Sequence, residues 1–276
     1  MHDKLTLHFR QFREVDLKLR EVTRKVISSL EEKSGYLVKV TEEPALPTLA
    51  TIRIARGNIP AHILSYKPVA KNESPDFAIC WQCAFALRMY ECPQNQRFLI
   101  AGNPEGDRAV DVILKAPNGI AQNYLLNKAQ LEEFKQQLLG GMITHLRSVP
   151  IGLRVSEKLT LDYPVLLELE ALHVEKELAI AKESLSVRVR EMMPAEIYNP
   201  TQYINAAYAL FWAARLEKPE VVNPFHLNGF DGYGQQLLNI YESVPGDPAH
   251  DNQLIDRWAD YLKIRSWYSW LPYQAP

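Results

Sequence analysis

The sequence is poor in cysteine and contains no long hydrophobic run. Three cysteines occur in 276 residues, at Cys80, Cys83 and Cys92, and such an odd, sparse set argues against a secreted disulfide framework. No stretch of about 18 consecutive apolar residues is present, so no transmembrane helix is predicted. Residues 1–4 lead into charged sequence rather than into an apolar signal core. We therefore expect a cytoplasmic protein.

An excess of charge of one sign is also missing. The chain has 31 basic and 33 acidic residues and a formal net charge of −2. This balance gives no general attraction for nucleic acid or for an anionic membrane, and neither is expected as a partner. No Gly-x-Ser-x-Gly sequence occurs, so a nucleophile elbow of the hydrolase type has no support.

Strand patterns are concentrated in the first 120 residues. There the spacing of apolar residues predicts, in chain order, a helix over 12–33 that stops at Gly35, strands at 36–40, 50–54 and 61–66, a helix over 76–91, and strands at 98–100 and 110–114. From Asn127 onward the apolar residues recur at helical spacing, with an interruption at Gly140-Gly141. The expected class is α+β: an N-terminal helix and a small mixed or antiparallel sheet with packed helices, then a mostly helical C-terminal half.

The domain organisation follows the same division. We expect an α+β domain over 1–123 and a helical domain over 124–276 packed against it, or one single large domain. No repeat, low-complexity segment or long linker separates the two.

The helix over 76–91 carries the most informative sequence, Cys80-Trp81-Gln82-Cys83-Ala84-Phe85. The order of helix, strands, hairpin and helix over 12–92, with the strand exit Tyr66-Lys67-Pro68, resembles the core of zincin metallopeptidases. In that family this helix carries His-Glu-x-x-His, whose histidines bind zinc and whose glutamate is the general base. The resemblance places Trp81 at the first histidine, Gln82 at the glutamate and Phe85 at the second histidine.

These three residues cannot perform the family's chemistry. Indole and phenyl rings are not zinc ligands, and a glutamine amide cannot take a proton from water as a carboxylate does. The resemblance therefore implies a degenerate metallopeptidase-like domain with no bound metal, no cofactor and no catalytic residue at this helix. Trp81 and Phe85 lie one helical turn apart, so we expect their rings to pack together. The alternative is a buried amphipathic helix that never held a metal.

Cys80 and Cys83 offer a different interpretation, a redox-active C-x-x-C at the start of a helix. The thioredoxin type places a strand directly before the motif, whereas here a polar loop precedes it. Buried core thiols are the competing interpretation. Metal binding by the three cysteines would need a fourth ligand, for which His62 is the available candidate.

Glu170, His173 and Glu177 form a Glu-x-x-His pattern with a further glutamate one turn on. Di-iron bundles need a second copy of this pattern on another helix, and the sequence has none. We expect these three side chains to lie on a solvated shoulder of the helix. The glycine-containing segment 229–234 lacks the G-x-G-x-x-G spacing and is expected to be a turn that leads into a helix.

The C-terminus is rich in aromatic residues. Trp267, Tyr268, Trp270 and Tyr273 are candidates for an interface with a protein partner, since tryptophan and tyrosine dominate binding hot spots. The competing expectation is a tail that folds back and seals the helical core.

Together these patterns favour a non-catalytic binding or regulatory protein that recognises a protein, a peptide or a small molecule. A peptide would lie along the strand at 61–66, as extended peptides do on zincin edge strands. A thiol-dependent enzyme using Cys80 and Cys83 and a structural subunit of a larger assembly are the alternatives.

Overall fold

The computed structural model describes residues 20–69, 74–116 and 127–276. In the first part of the chain the elements are α1 (Glu21–Ser34), β1 (Val38–Glu42), β2 (Ala50–Arg53), β3 (His62–Tyr66), α2 (Asp76–Glu91), β4 (Phe98–Gly102) and α3 (Pro104–Leu114). In the second part they are α4 (Lys128–Asp162), α5 (Leu167–Glu183), α6 (Val187–Met192), α7 (Ala195–Arg215), α8 (Asn223–Leu227), α9 (Asp231–Ser243), α10 (Asp251–Tyr261) and β5 (Tyr268–Pro272). The predicted α+β class with a mostly helical C-terminal half is confirmed.

The first sheet has the order β1-β3-β2, with β3 in the centre. Strand β3 runs parallel to β1 and antiparallel to β2, so that Leu64 lies opposite both Val40 and Ile52. Helix α1 ends at Gly35, whose positive φ of 78° suits a residue without a Cβ. Because β3 is paired along both sides, it has no free edge. The expected peptide site along 61–66 is therefore wrong.

The second sheet joins the two parts of the chain. Strand β4 pairs antiparallel with β5, so that Ile100 lies opposite Trp270. The strand predicted at 98–100 is confirmed, whereas the one predicted at 110–114 is helix α3. Asn103 caps this helix by accepting a hydrogen bond from the Gly106 N–H at 2.9 Å, and Pro104 occupies its first turn. These capping residues prevail over the β-branched residues that suggested a strand.

Helix α4 runs for 35 residues and is the central element of the second part. It begins with a capping box, in which the Asn127 side chain accepts from the Gln130 N–H and the Gln130 side chain accepts from the Asn127 N–H. The helix continues through Gly140-Gly141, so the predicted interruption there is wrong. None of the helices in the described ranges is long and apolar enough to cross a membrane.

Two hydrophobic cores lie on either side of α2. The first joins α1, β2, β3 and α2, and it also contains Leu159, Leu166 and Tyr273 from the second part of the chain. The second joins the helices from α3 onward. Trp81 packs against both. The expected boundary between 123 and 124 lies outside the described residues, as does the stretch 12–19 of the predicted first helix.

Candidate functional site

Helix α2 is fixed at its start by a buried carboxylate. Asp76 accepts hydrogen bonds from the hydroxyl groups of Thr23 and Ser74 and from the Arg20 N–H, the last at 3.1 Å. Arg20 precedes the first residue of α1. The N-termini of α1 and α2 therefore meet at one anionic group, which also complements the positive ends of both helix dipoles.

Trp81, Gln82 and Phe85 connect α2 to its neighbours. The Trp81 and Phe85 ring centroids lie 5.1 Å apart with their planes at 37°, so the predicted packing is confirmed. The Trp81 Nε1–H donates to Ser156 Oγ on α4 at 3.2 Å, and the Gln82 amide donates to the Ala50 carbonyl of β2 at 3.2 Å. All three side chains are engaged in contacts within the chain.

Trp81 also lies close against the backbone of α4. A Cβ added to Gly152 would stand 2.6 Å from Cζ2 of the Trp81 ring. Only glycine leaves enough room for such a close approach between an indole and a helix.

Cys80 and Cys83 are free thiols that are fully buried. The Cys80 thiol donates to Thr23 Oγ1 at 3.5 Å, and burial raises its pKa to about 11. Burial also raises the pKa of Cys83. A redox-active cysteine needs the opposite conditions, exposure and a lowered pKa. The redox expectation for this pair is therefore not supported by their surroundings, and both thiols are part of the first core.

Metal ligands do not gather at this helix. No group of three or more histidine, cysteine, aspartate or glutamate side chains that could hold a metal ion occurs in the described ranges. His62 is engaged elsewhere, with Nδ1 accepting from the Ala55 N–H at 3.1 Å and Nε2 bonded to Ser34 Oγ at 3.0 Å.

An arginine cluster at the other end of α2 was not foreseen from the sequence. Arg88 donates to both carboxylate oxygens of Asp251, at 2.6 and 2.7 Å, and to the Gly246 carbonyl at 2.7 Å. Arg154 donates to the same carboxylate at 3.1 Å and to the Val244 carbonyl at 2.8 Å. The two arginines thereby fasten the loop between α9 and α10 to α2 and α4.

A third guanidinium, that of Arg147, lies beside this cluster. It sits over the Phe85 ring at 4.8 Å from the ring centroid. Among the described residues no carboxylate, carbonyl or hydroxyl group forms a hydrogen bond or an ion pair with Arg147. Burial lowers the pKa of this guanidinium, and the Asp251 charge opposes the shift.

A small cavity opens at this point between α2, α4, α10 and β5. Its volume is about 50 Å³, enough for roughly four water molecules at about 10–15 Å³ each. The charged residues of its lining are Arg88, Arg147 and Asp251. Phe85, Cys92 and Trp270, which the sequence singled out separately, meet here as its walls together with Asn252 and Gln96.

Glu170 and His173 do not lie on a solvated shoulder. Glu170 is only 2 % exposed, and burial raises its pKa to about 7. Its Oε2 lies 3.7 Å from Arg215 Nε, while Oε1 has no hydrogen-bond partner within the described residues. The His173 ring lies 5.2 Å from that of Phe77, and burial lowers its pKa to about 4.

The expectation for Glu170 and His173 was wrong because α5 is covered on two sides, by α2 and by α7. Glu177 on the same helix is exposed, as expected.

The C-terminal aromatic residues are held inside the chain. Trp267, Tyr268 and Tyr273 are buried, and Trp270 is half-buried. The Tyr268 hydroxyl and the Trp270 Nε1–H both donate to Asp256 Oδ1, at 2.6 and 2.9 Å. The Tyr273 hydroxyl donates to the Ala55 carbonyl at 2.7 Å. The expected partner interface is therefore wrong for the three buried residues, because the tail folds back and pairs with β4.

The segment 229–234 is a turn at Gly229 that leads directly into a helix, as expected. Gly229 has a φ of 74°, and helix α9 begins two residues later at Asp231.

Comparison of the chain with protein-family models, with curated proteins and with solved structures finds no match.

Proposed function

We propose that this chain is a non-catalytic binding or regulatory protein, derived from a metallopeptidase-like domain, and that it recognises a small molecule in the cavity at the end of α2. The observation that carries the proposal is the Arg147 guanidinium, which lies beside this cavity without a partner among the described residues. Burying a charged group without a hydrogen-bond or ion-pair partner costs free energy. Groups of this kind occur preferentially at functional sites.

The surroundings of α2 support the non-catalytic part of the proposal. Trp81 is wedged against Gly152, Gln82 is bonded to β2, and Phe85 forms a wall of the cavity. The order of α1, the small sheet and α2 is the order on which the sequence resemblance rests. In this proposal the metal site has been replaced by aromatic packing, and the adjoining cavity has been retained for binding.

The experiment is a measurement of zinc content and of peptide hydrolysis on the purified protein. We expect no stoichiometric zinc and no hydrolysis of an unstructured protein substrate such as casein. A stoichiometric metal that is lost together with a hydrolytic activity on chelation would contradict the proposal.

We also propose a reducing compartment, the cytoplasm, as the location. The support is the state of the three cysteines, which are free and buried. Thiol titration of the denatured protein, isolated under conditions that block exchange, should give three free thiols per chain. Fewer than three would argue for an oxidising compartment.

A further inference from the structure

The charges around the cavity do not balance. The lining carries two guanidinium groups, those of Arg88 and Arg147, and one carboxylate, that of Asp251, which Arg154 outside the lining also contacts. Asp251 already accepts three hydrogen bonds from Arg88 and Arg154. Its two oxygens are therefore engaged, and the cluster keeps an excess positive charge at Arg147.

The donors of Arg147 are free to bind. A guanidinium has five N–H donors in a planar fork that matches the two oxygens of a carboxylate or phosphate. Arg88 and Arg154 use this fork on Asp251 and on backbone carbonyls. Arg147 rests on the Phe85 ring, which supports one face of the plane and leaves its edges for a ligand.

The cavity matches an oxyanion in size and chemistry. Its volume of about 50 Å³ holds a group of roughly three to five heavy atoms, at about 10–15 Å³ for each water-sized position. The amides of Asn252 and Gln96 add further donors to the lining, and Phe85 and Trp270 provide apolar walls. Such a combination of apolar walls and a few convergent polar groups is typical of small-molecule sites.

We propose that this cavity binds a small molecule through a carboxylate or phosphate group, which the guanidinium of Arg147 holds in a bidentate manner. The proposal rests on the binding function proposed above and names the class of ligand. Asp251 keeps Arg88 and Arg154 in place, so that Arg147 alone is left to meet the ligand.

The test is a titration of the full chain, by calorimetry at fixed ionic strength, with three probes: inorganic phosphate, phenyl phosphate and benzoate. We expect saturable one-to-one binding of at least one of them. The order of affinities identifies the anionic group that the site prefers. Inorganic phosphate and phenyl phosphate both present a phosphate group, whereas benzoate presents a carboxylate. No saturable binding of any probe would overturn the proposal.

Variants at Arg147 test whether the anionic probes bind at this cavity or are attracted by positive charge in general. Arg147→Gln should weaken binding about tenfold or more, because it removes the charge and the fork. Arg147→Lys keeps the charge but lacks the planar fork of N–H donors. Its affinity for the probe should lie between those of the unmodified chain and of Arg147→Gln. Circular dichroism verifies that both variants are folded. Unchanged affinity in both would overturn the proposal.

Arg257→Gln is the matched control. It removes the same charge from an exposed position on α10, where Arg257 donates to Ser243 Oγ outside the cavity lining. Its affinity should equal that of the unmodified chain, and a loss equal to that of Arg147→Gln would overturn the proposal in favour of non-specific attraction.

Release of phenol from phenyl phosphate is followed in the same samples. Binding with release would leave the anion site standing and refute the non-catalytic function. Absence of binding in a zinc-free, inactive protein would refute the anion site alone.

Discussion

The two cores of this protein differ in how completely their buried polar groups are paired. In the first core His62 has a partner on each ring nitrogen, and the Asp76 carboxylate accepts from three donors. In the helical part several buried polar atoms lack a partner within the described residues. These atoms are His145 Nε2, Glu170 Oε1, His173 Nδ1, Tyr198 Oη, Trp212 Nε1 and Trp258 Nε1.

This difference gives the two regions different energetic roles. A satisfied buried group stabilises a single arrangement, and removing it leaves its partners without hydrogen bonds. A buried group without a partner costs about 1–3 kcal/mol, so replacing it can stabilise the fold. The first core is therefore a fixed scaffold for α2, whereas in the helical part a polar atom without a partner, such as Glu170 Oε1, can be replaced by a neutral group of the same shape without loss of a hydrogen bond.

The largest effect is expected at Asp76. The substitution Asp76→Ala should lower the free energy of unfolding by about 3–5 kcal/mol, because three donors at the starts of α1 and α2 lose their acceptor. Urea denaturation measures this change. The control is Asp162→Ala, which breaks an exposed pair with Lys158 and should cost less than about 1 kcal/mol. Equal effects at the two positions would remove the distinction between scaffold and surface.

Acid should weaken the first core through His62. Burial lowers the pKa of His62 to about 4 from its ordinary 6.5, so the unfolded chain takes up a proton first as the pH falls. The stability is complete above pH 6.5 and is lost as the pH falls through 4, by about 3 kcal/mol at 1.36 kcal/mol per pKa unit.

His145 and His173 act in the same direction, since the pKa of each is also lowered to about 4. The contribution of His62 is isolated by comparing denaturation of the unmodified chain and of His62→Gln between pH 7 and pH 4. The stability of the variant should fall less over this range, and parallel pH curves would contradict the assignment.

Local patterns predicted most of the scaffold. Gly35 was identified as the stop of α1 from its type alone, and the i,i+4 spacing of Trp81 and Phe85 was sufficient to predict their packing. The strand at 110–114 failed because β-branched residues were given more weight than the Asn103-Pro104 helix start. Where local signals agreed, the prediction was correct.

The candidate site was not predictable in the same way. Arg88 and Asp251 are 163 positions apart in the chain, and no local spacing connects them. Glu170 was predicted to be exposed because the apolar stripe of a helix indicates only one buried face. Helix α5 is covered on two faces, by α2 and by α7. Such contacts arise from the packing of whole helices and are invisible in a single sequence without its fold.

The opposite pH dependence is expected at Glu170. Burial raises the pKa of Glu170 to about 7 from 4.5, so the unfolded chain loses its proton first, and stability falls as the pH rises from 4.5 through 7. Glu170→Gln removes this loss and should stabilise the protein by about 2 kcal/mol at pH 9, with little change at pH 4.

Denaturation at the two pH values measures the gain. The control is Glu175→Gln on the same helix, which breaks an exposed ion pair with Lys218. It should change the free energy of unfolding by less than about 1 kcal/mol. A destabilised Glu170→Gln at pH 9 would show that the helical part depends on this carboxylate as much as the first core depends on Asp76.

The smallest effect concerns the contact between the two regions. Gly152→Ala would place a Cβ 2.6 Å from the Trp81 ring, and we expect a loss of about 1–2 kcal/mol as the indole is displaced. In Gly141→Ala, on the same helix, the new Cβ meets nothing within 4 Å. This control should gain about 0.5–1 kcal/mol from its higher helix propensity.

Because Trp81 packs against both cores, the loss in Gly152→Ala also tests whether they unfold together. A single transition that shifts to lower urea by circular dichroism and by tryptophan fluorescence alike would show one cooperative unit. Two separated transitions, with only one of them shifted, would mean that the scaffold and the helical part are stable independently. The contrast in their polar groups would then belong to two separate folding units.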